Sequence, residues 1–238
     1  MWKRLILIGT IGAIAGVCVV LLNPVNSKMY KLLLLGFSFG AWAGLIILLW
    51  KRKLARVAML CVPVLAAIPF LLPGREIDQV ELRIDYVERM TAFEGTEYYW
   101  GGESSRGIDC SGLPRRAFRG ALLSYGIRHA NGRATRAFLE QWWFDASAKA
   151  LGEKYRNYTV PVGVSGDIEI MSYQELEPGD FAVTDSGVHV IAFAGGDSWI
   201  QADPGVGSVV TLDGRKDENA WFTTPVKVFR WSLLARQE

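Results

Sequence analysis

The sequence predicts an α+β domain preceded by transmembrane helices, and three observations predict it. Residues 1–75 contain no acidic residue and hold three long apolar runs; the next segment opens with helical apolar spacing; the C-terminal part breaks into short apolar runs joined by turns. Helices that precede hairpin-joined strands give N-terminal helices packed on an antiparallel sheet.

The apolar runs fall at about 5–22, 32–50 and 57–72. The first two reach the roughly 17 to 25 residues that cross a bilayer as helix, and the third sits just below that range. Pro63 and Pro69 would kink the third, which leaves a re-entrant segment as its other reading. Lys3 and Arg4, with the basic loop Lys51, Arg52, Lys53 and Arg56, belong in the cytoplasm by the positive-inside rule, so the chain after Arg75 lies outside. Ala13-Ile14-Ala15 resembles a cleavage site, but the apolar run continues past it to Leu22, so the helix is expected to stay uncleaved. Gly12, Gly16, Gly36, Gly40 and Gly44 have the spacing of close helix packing, suited to a membrane protein partner or a homodimer.

Residues 1–74 are therefore a membrane region and residues 75–238 a single domain. The slightly basic average charge misleads: 18 of the 26 Lys and Arg face all 24 Asp and Glu from Arg75 onward, leaving that part near −6. Such a balance disfavours a nucleic-acid partner.

Ile77, Val80, Ile84, Val87 and Met90 follow helical spacing, predicting an amphipathic helix over Glu76 to Phe93. A glycine-rich loop follows, then a helix from about Cys110 to Tyr125 with Leu113, Ala117, Phe118, Ala121 and Leu122 inward and Gly126 as its C-cap. Arg133 to Leu151 reads as a third helix, its Trp142-Trp143 pair as core. Leu176 to Asp180 is a turn. Strands are expected at Phe181–Thr184, Val188–Phe193, Ser198–Ala202, Val209–Thr211 and Val226–Trp231.

Cys110 is the only cysteine after the apolar third, so it has no disulfide partner in its domain. It is either inert core filling or a reactive group. Flanking glycines, and Asp109 as a helix cap, would place its sulfur at the positive end of a helix, where a thiolate is stabilised. His189, one of two histidines, lies in a strand after the Asp185-Ser186-Gly187 turn. Taken alone it is a half-buried histidine satisfied by a neighbour. Gln201, on the adjacent strand, is placed to bond the imidazole and fix its tautomer.

Four ordered blocks carry a resemblance: Gly95-Thr-Glu-Tyr-Tyr-Trp-Gly-Gly102, Asp109-Cys-Ser-Gly-Leu113, Leu176-Glu-Pro-Gly-Asp180, and Val188-His-Val190 with Trp199-Ile-Gln-Ala202. In these the chain resembles the NlpC family (NlpC/p60 type) of papain-like cell-wall cysteine peptidases. The resemblance implies Cys110 as nucleophile, His189 as general base and Gln201 as the polar residue orienting it. It also implies Tyr98, Asp109 and Ser111 around the substrate and oxyanion, with no cofactor. The third position in this family is often histidine; Gln201 carries no charge, and Asp203 stands nearby as a substitute. Pro114 replaces a residue that is more usually aliphatic. The stretch from about 128 to 171 is longer than a compact member needs and is expected to shape the cleft rather than the core.

A zinc site from Cys110, His129 and His189 lacks paired short spacing, the Gly101-Gly102 loop has no following Gly-Lys-Ser/Thr, and no Gly-x-Ser-x-Gly element is present. Three classes stay open. The first is a membrane-anchored endopeptidase on peptidoglycan stem peptides, multi-pass in the bacterial cytoplasmic membrane with its domain extracytoplasmic. The others are a thiol-dependent amidase or acyltransferase, and a non-catalytic module that binds cell-wall peptide.

Overall fold

The computed structural model describes residues 1–236. The three apolar runs form α1 Trp2–Leu22, α2 Lys28–Leu49 and α3 Lys53–Leu71, each long and apolar enough to cross a membrane. α3 continues as one helix through Pro63 and Pro69. α1 and α2 form a hairpin in which Gly16 faces the Phe37 ring and Gly44 faces the Thr10 hydroxyl, with no room for a Cβ at either glycine. Gly12 and Gly36 face open space.

Asp78 caps α4, Gln79–Thr91, by accepting from the Val80 and Glu81 amides. The buried face of α4 is only partly the expected one: Ile77 and Met90 are buried as expected, but Leu82 and Tyr86 are fully buried too, whereas Val80 and Ile84 are 69% and 55% exposed. α5, Gly112–Arg128, buries all five predicted inner residues. It runs past Gly126, which does not cap the helix but lies against Thr135 of α6, Gly132–Trp143. The predicted third helix is broken. Phe144 ends α6, and α7, Ala148–Gly152, restarts with Ser147 accepting from the Ala150 amide. Trp142 and Trp143 are half-buried rather than core.

A two-stranded ribbon, β1 Glu103–Ser104 with β2 Gly107–Ile108, precedes α5. The main sheet holds β3 Thr159–Gly166, β4 Phe181–Thr184, β5 Val190–Gly195, β6 Ser198–Asp203, β7 Ser208–Asp213 and β8 Val226–Trp231. Its order is β3-β8-β4-β5-β6-β7, antiparallel throughout. α4 and α5 cover one face, where Phe118 stacks on Trp231 with ring centroids 4.6 Å apart and Tyr86 meets Phe118 edge-on. Ile168, Met171, Trp199 and Phe222 close the other.

Residues 128–171 therefore divide. Ala134, Leu151, Thr159, Ile168 and Met171 are buried, which corrects the expectation of a cleft wall outside the core. Only the break between α6 and α7 reaches the cleft described below.

The apolar helices are tied to the domain at two places. The α1–α2 loop pairs with the backbone before β1 (Asn26 N to Gly101 O, 3.1 Å; Glu103 N to Pro24 O, 2.9 Å). The end of α3 meets α6, where Thr135 Oγ1 donates to Pro69 O at 2.7 Å and Arg136 Nη1 to Leu72 O at 2.8 Å. Both junctions lie at one end of the helices; Lys3, Arg4, Lys51, Arg52 and Lys53 lie at the other.

Candidate active site

Cys110 sits two residues ahead of α5. Asp109 organises the approach: Oδ1 accepts from the Gly112 amide at 2.5 Å and the Ser111 hydroxyl at 3.0 Å, and Oδ2 from the Gly101 amide at 2.9 Å. One carboxylate thus holds the helix start against the glycine loop. Gly112 faces the Gly102 carbonyl too closely for any side chain, which explains the glycine there.

The thiol is buried and donates to Val188 O at 3.8 Å. Burial, then the Asp109 charge, pushes it up to about 12, although backbone hydrogen bonds oppose the rise. The expected pull of the helix end toward the thiolate is outweighed. Desolvation outweighs the helix end, and the resting group is a thiol.

His189 directly precedes β5 rather than lying within it. Thr184 Oγ1 accepts from both the Val188 and His189 amides, at 3.2 and 3.1 Å, and so clamps the turn that presents the ring. Nε2 lies 2.6 Å from Gln201 Oε1 on β6. An amide oxygen only accepts, so Nε2 carries the proton and Nδ1 of the neutral ring is left as a base. Asp203 stands behind: Gln201 Nε2 donates to its Oδ2 at 3.3 Å, which turns the amide oxygen toward the histidine. Asn219 Nδ2 donates to the same oxygen at 2.8 Å. Trp221 stacks on the imidazole at 4.1 Å. Burial lowers the His189 pKa against the opposing pull of Gln201 and Asp203, so the ring is neutral at rest.

A cavity of about 420 Å³ opens over Cys110, lined by Tyr98, Trp100, Asp109, Ser111, Arg115, Val188 and the residues from Asp145 to Ala148. Burial above all, with the Asp109 charge adding to it, pushes the Tyr98 phenol up to about 12, so its hydroxyl can serve as a donor. Ser111 has its hydroxyl engaged by Asp109. His129 stands about 25 Å along α5, bonded to Glu81 at 2.9 Å, so it shares no site with Cys110. Among the described residues no group of three His, Cys, Asp or Glu side chains could hold a metal ion.

Sequence reasoning missed Trp221 and Asn219, which sit in a segment without periodicity, and the charged floor beneath the cavity. There Glu103 pairs with Arg115 at 2.7 Å and Arg119 at 2.5 Å. Arg115 also reaches Asp145 at 3.3 Å, and Asp145 holds Lys31 of α2 at 2.7 Å. Asn26 of the α1–α2 loop donates to Glu103. Burial alone would raise the Glu103 carboxyl; Arg115 and Arg119 outweigh it and hold the group below its ordinary range.

A family model described as the NlpC/P60 family matches residues 95–223. Among solved structures, NlpC1 from Trichomonas vaginalis is 20% identical, with a TM-score of 0.41 over 66% of this chain and 46% of that one. The P60 domain of an antigen from M. avium subspecies paratuberculosis is 18% identical, with a TM-score of 0.38 over 63% and 96%. The peptidoglycan hydrolase RipB from Mycobacterium tuberculosis is 20% identical, with a TM-score of 0.37 over 63% and 65%. The chain spans about half the length of the first of these. No curated protein matches it.

Proposed function

The chain belongs to the NlpC/P60 family, and from that premise we propose that it is a membrane-anchored cysteine peptidase hydrolysing amide bonds in peptidoglycan stem peptides. One observation carries the reading. A lone thiol lines an open cavity beside the carbonyl of Val188, and the next residue is an imidazole whose Nε2 proton is fixed by Gln201 and Asp203.

In the cycle His189 Nδ1 takes the Cys110 proton, and the resulting thiolate attacks the amide carbonyl. The Cys110 backbone amide and the Tyr98 hydroxyl donate to the oxyanion. The imidazolium then protonates the departing amine as the C–N bond breaks. Water, deprotonated by His189, attacks the thioester and returns the thiol. Gln201 fixes the ring's tautomer and direction, and Asp203 fixes Gln201. With both reacting groups neutral at rest, proton transfer belongs to the bound complex, where the substrate excludes water.

The full chain in detergent should release equal amounts of new amine and new carboxyl from cell-wall stem peptides, with a bell-shaped pH profile from the coupled Cys110 and His189 pair. New amine without new carboxyl, as when the acyl group moves to another acceptor, would assign an acyltransferase instead. In the free protein, Cys110 alkylation should accelerate steadily as pH rises from neutral toward about 12. A rate already level at pH 7 would show a resting thiolate.

The domain is read as extracytoplasmic in a bacterial cytoplasmic membrane. Supporting this, both junctions with the domain lie at the helix ends opposite the basic residues Lys3 to Arg4 and Lys51 to Lys53. A reporter active only outside the cytoplasm should be active when fused after Gly74 and silent after Arg52. The reverse pattern would rule out a wall substrate.

A further inference from the structure

A second cavity, of about 160 Å³, lies where the α1–α2 hairpin meets the domain, and the chemistry at Cys110 does not use it. Its walls are of two kinds. Leu21 and Leu34 come from the apolar helices and Tyr30 and Trp142 flank them, while Arg116 and Arg119 of α5 and Lys31 of α2 face the same space, three cations against the one carboxylate of Glu103. Tyr and Trp beside an apolar layer mark the headgroup level of a bilayer.

The arginines are under-used. Arg119 is buried and gives Nη2 to Glu103, but its Nε and Nη1 have no hydrogen-bond partner among the described residues. Buried guanidinium donors are seldom left unpaired, because a charged group loses its hydration without replacement. Arg116 keeps exposed surface and makes no ion pair among the described residues; desolvation first and then the like charge of Arg119 lower its pKa, with Glu103 opposing. A group with several acceptor oxygens and a negative charge would supply the missing partners and relieve the repulsion.

We propose that this cavity binds the phosphodiester of an anionic membrane phospholipid, its oxygens on Arg116 and Arg119 and its acyl chains along Leu21 and Leu34. The apolar wall favours a lipid over a free phosphate. The occupant would sit one shared carboxylate from the catalytic cavity, since Glu103 pairs with both Arg119 and Arg115. The inference rests on the membrane reading given above.

The test is native mass spectrometry of the full chain, purified in a neutral detergent and offered phosphatidylglycerol, phosphatidylcholine or inorganic phosphate. Phosphatidylglycerol should be retained in preference to phosphatidylcholine, and inorganic phosphate at the same concentration should not displace it. Arg116→Gln, which disturbs no pair, should cut retention about tenfold. Arg119→Lys, which keeps a charge for Glu103 but removes the idle donors, should also weaken it. Equal retention in wild type and Arg116→Gln overturns the site, as does displacement by inorganic phosphate. Alkaline carbonate extraction separates the two readings. A chain released from membranes takes down both, whereas a chain that stays but binds lipid indifferently takes down this site alone.

Discussion

Cys110→Ser is expected to lower the release of stem-peptide amines by about three orders of magnitude or more and to abolish alkylation at that position. The size follows from the role: without the sulfur no thioester forms, and groups that act as a unit lose nearly everything when one is removed. Serine fits the space of the thiol, so the fold should be retained. Its hydroxyl gives up a proton far less readily than a thiol, and a His189 whose basicity is already lowered by burial is a weak base for it. Gln201→Ala should cost much less, because Trp221 still stacks on the ring and Thr184 still clamps its backbone. What it removes is tautomer control, so the loss should fall on kcat more than on KM. Undiminished turnover in Cys110→Ser, with matched circular dichroism, would sink the mechanism.

Much of the site was legible because its residues sit in short local motifs. The Asp109-Cys110 pair, the turn before His189 and the step from His189 to Gln201 all follow from local spacing, and the five inward residues of α5 follow from its period. What failed was longer in range. α4 carries two stripes at helical spacing that share Met90; periodicity chose the one holding Val80 and Ile84, and packing against the sheet chose the one holding Leu82 and Tyr86.

β3, which the expected strands did not include, alternates Val160, Val162 and Val164 with Pro161, Gly163 and Ser165. At the edge of the sheet, next to β8 alone, a missing amide is tolerated. The break between α6 and α7 has no proline or glycine to announce it. Asp145 is drawn there to Lys31 and Arg115, residues distant in sequence. The raised pKa of Cys110 was not legible for a related reason: the helix end is a local feature, whereas the burial that outweighs it comes from the whole domain.

The buried floor beneath the cleft yields the other large expected effect. Glu103→Ala should destabilise the full chain by about 3–5 kcal/mol, since it leaves the buried Arg119 without its counter-charge beside Arg115, which keeps only the partly exposed Asp145. The carboxylate also accepts from Asn26, so the α1–α2 loop should loosen and be cut faster by protease than in the parent. Glu103 has a folded-state pKa held below its unfolded value, so its contribution is present above the unfolded carboxylate range, near about 4.3, and is lost as pH falls through the folded value. The variant should accordingly show a flatter acid limb in its stability profile. A triple variant replacing Glu103, Arg115 and Arg119 with apolar residues of similar volume should recover much of the lost stability, because the penalty lies in the orphaned charges rather than in the pair itself. If Glu103→Ala melts with the parent, water already screens the cluster, and the carboxylate is not what holds α5 to the α1–α2 hairpin.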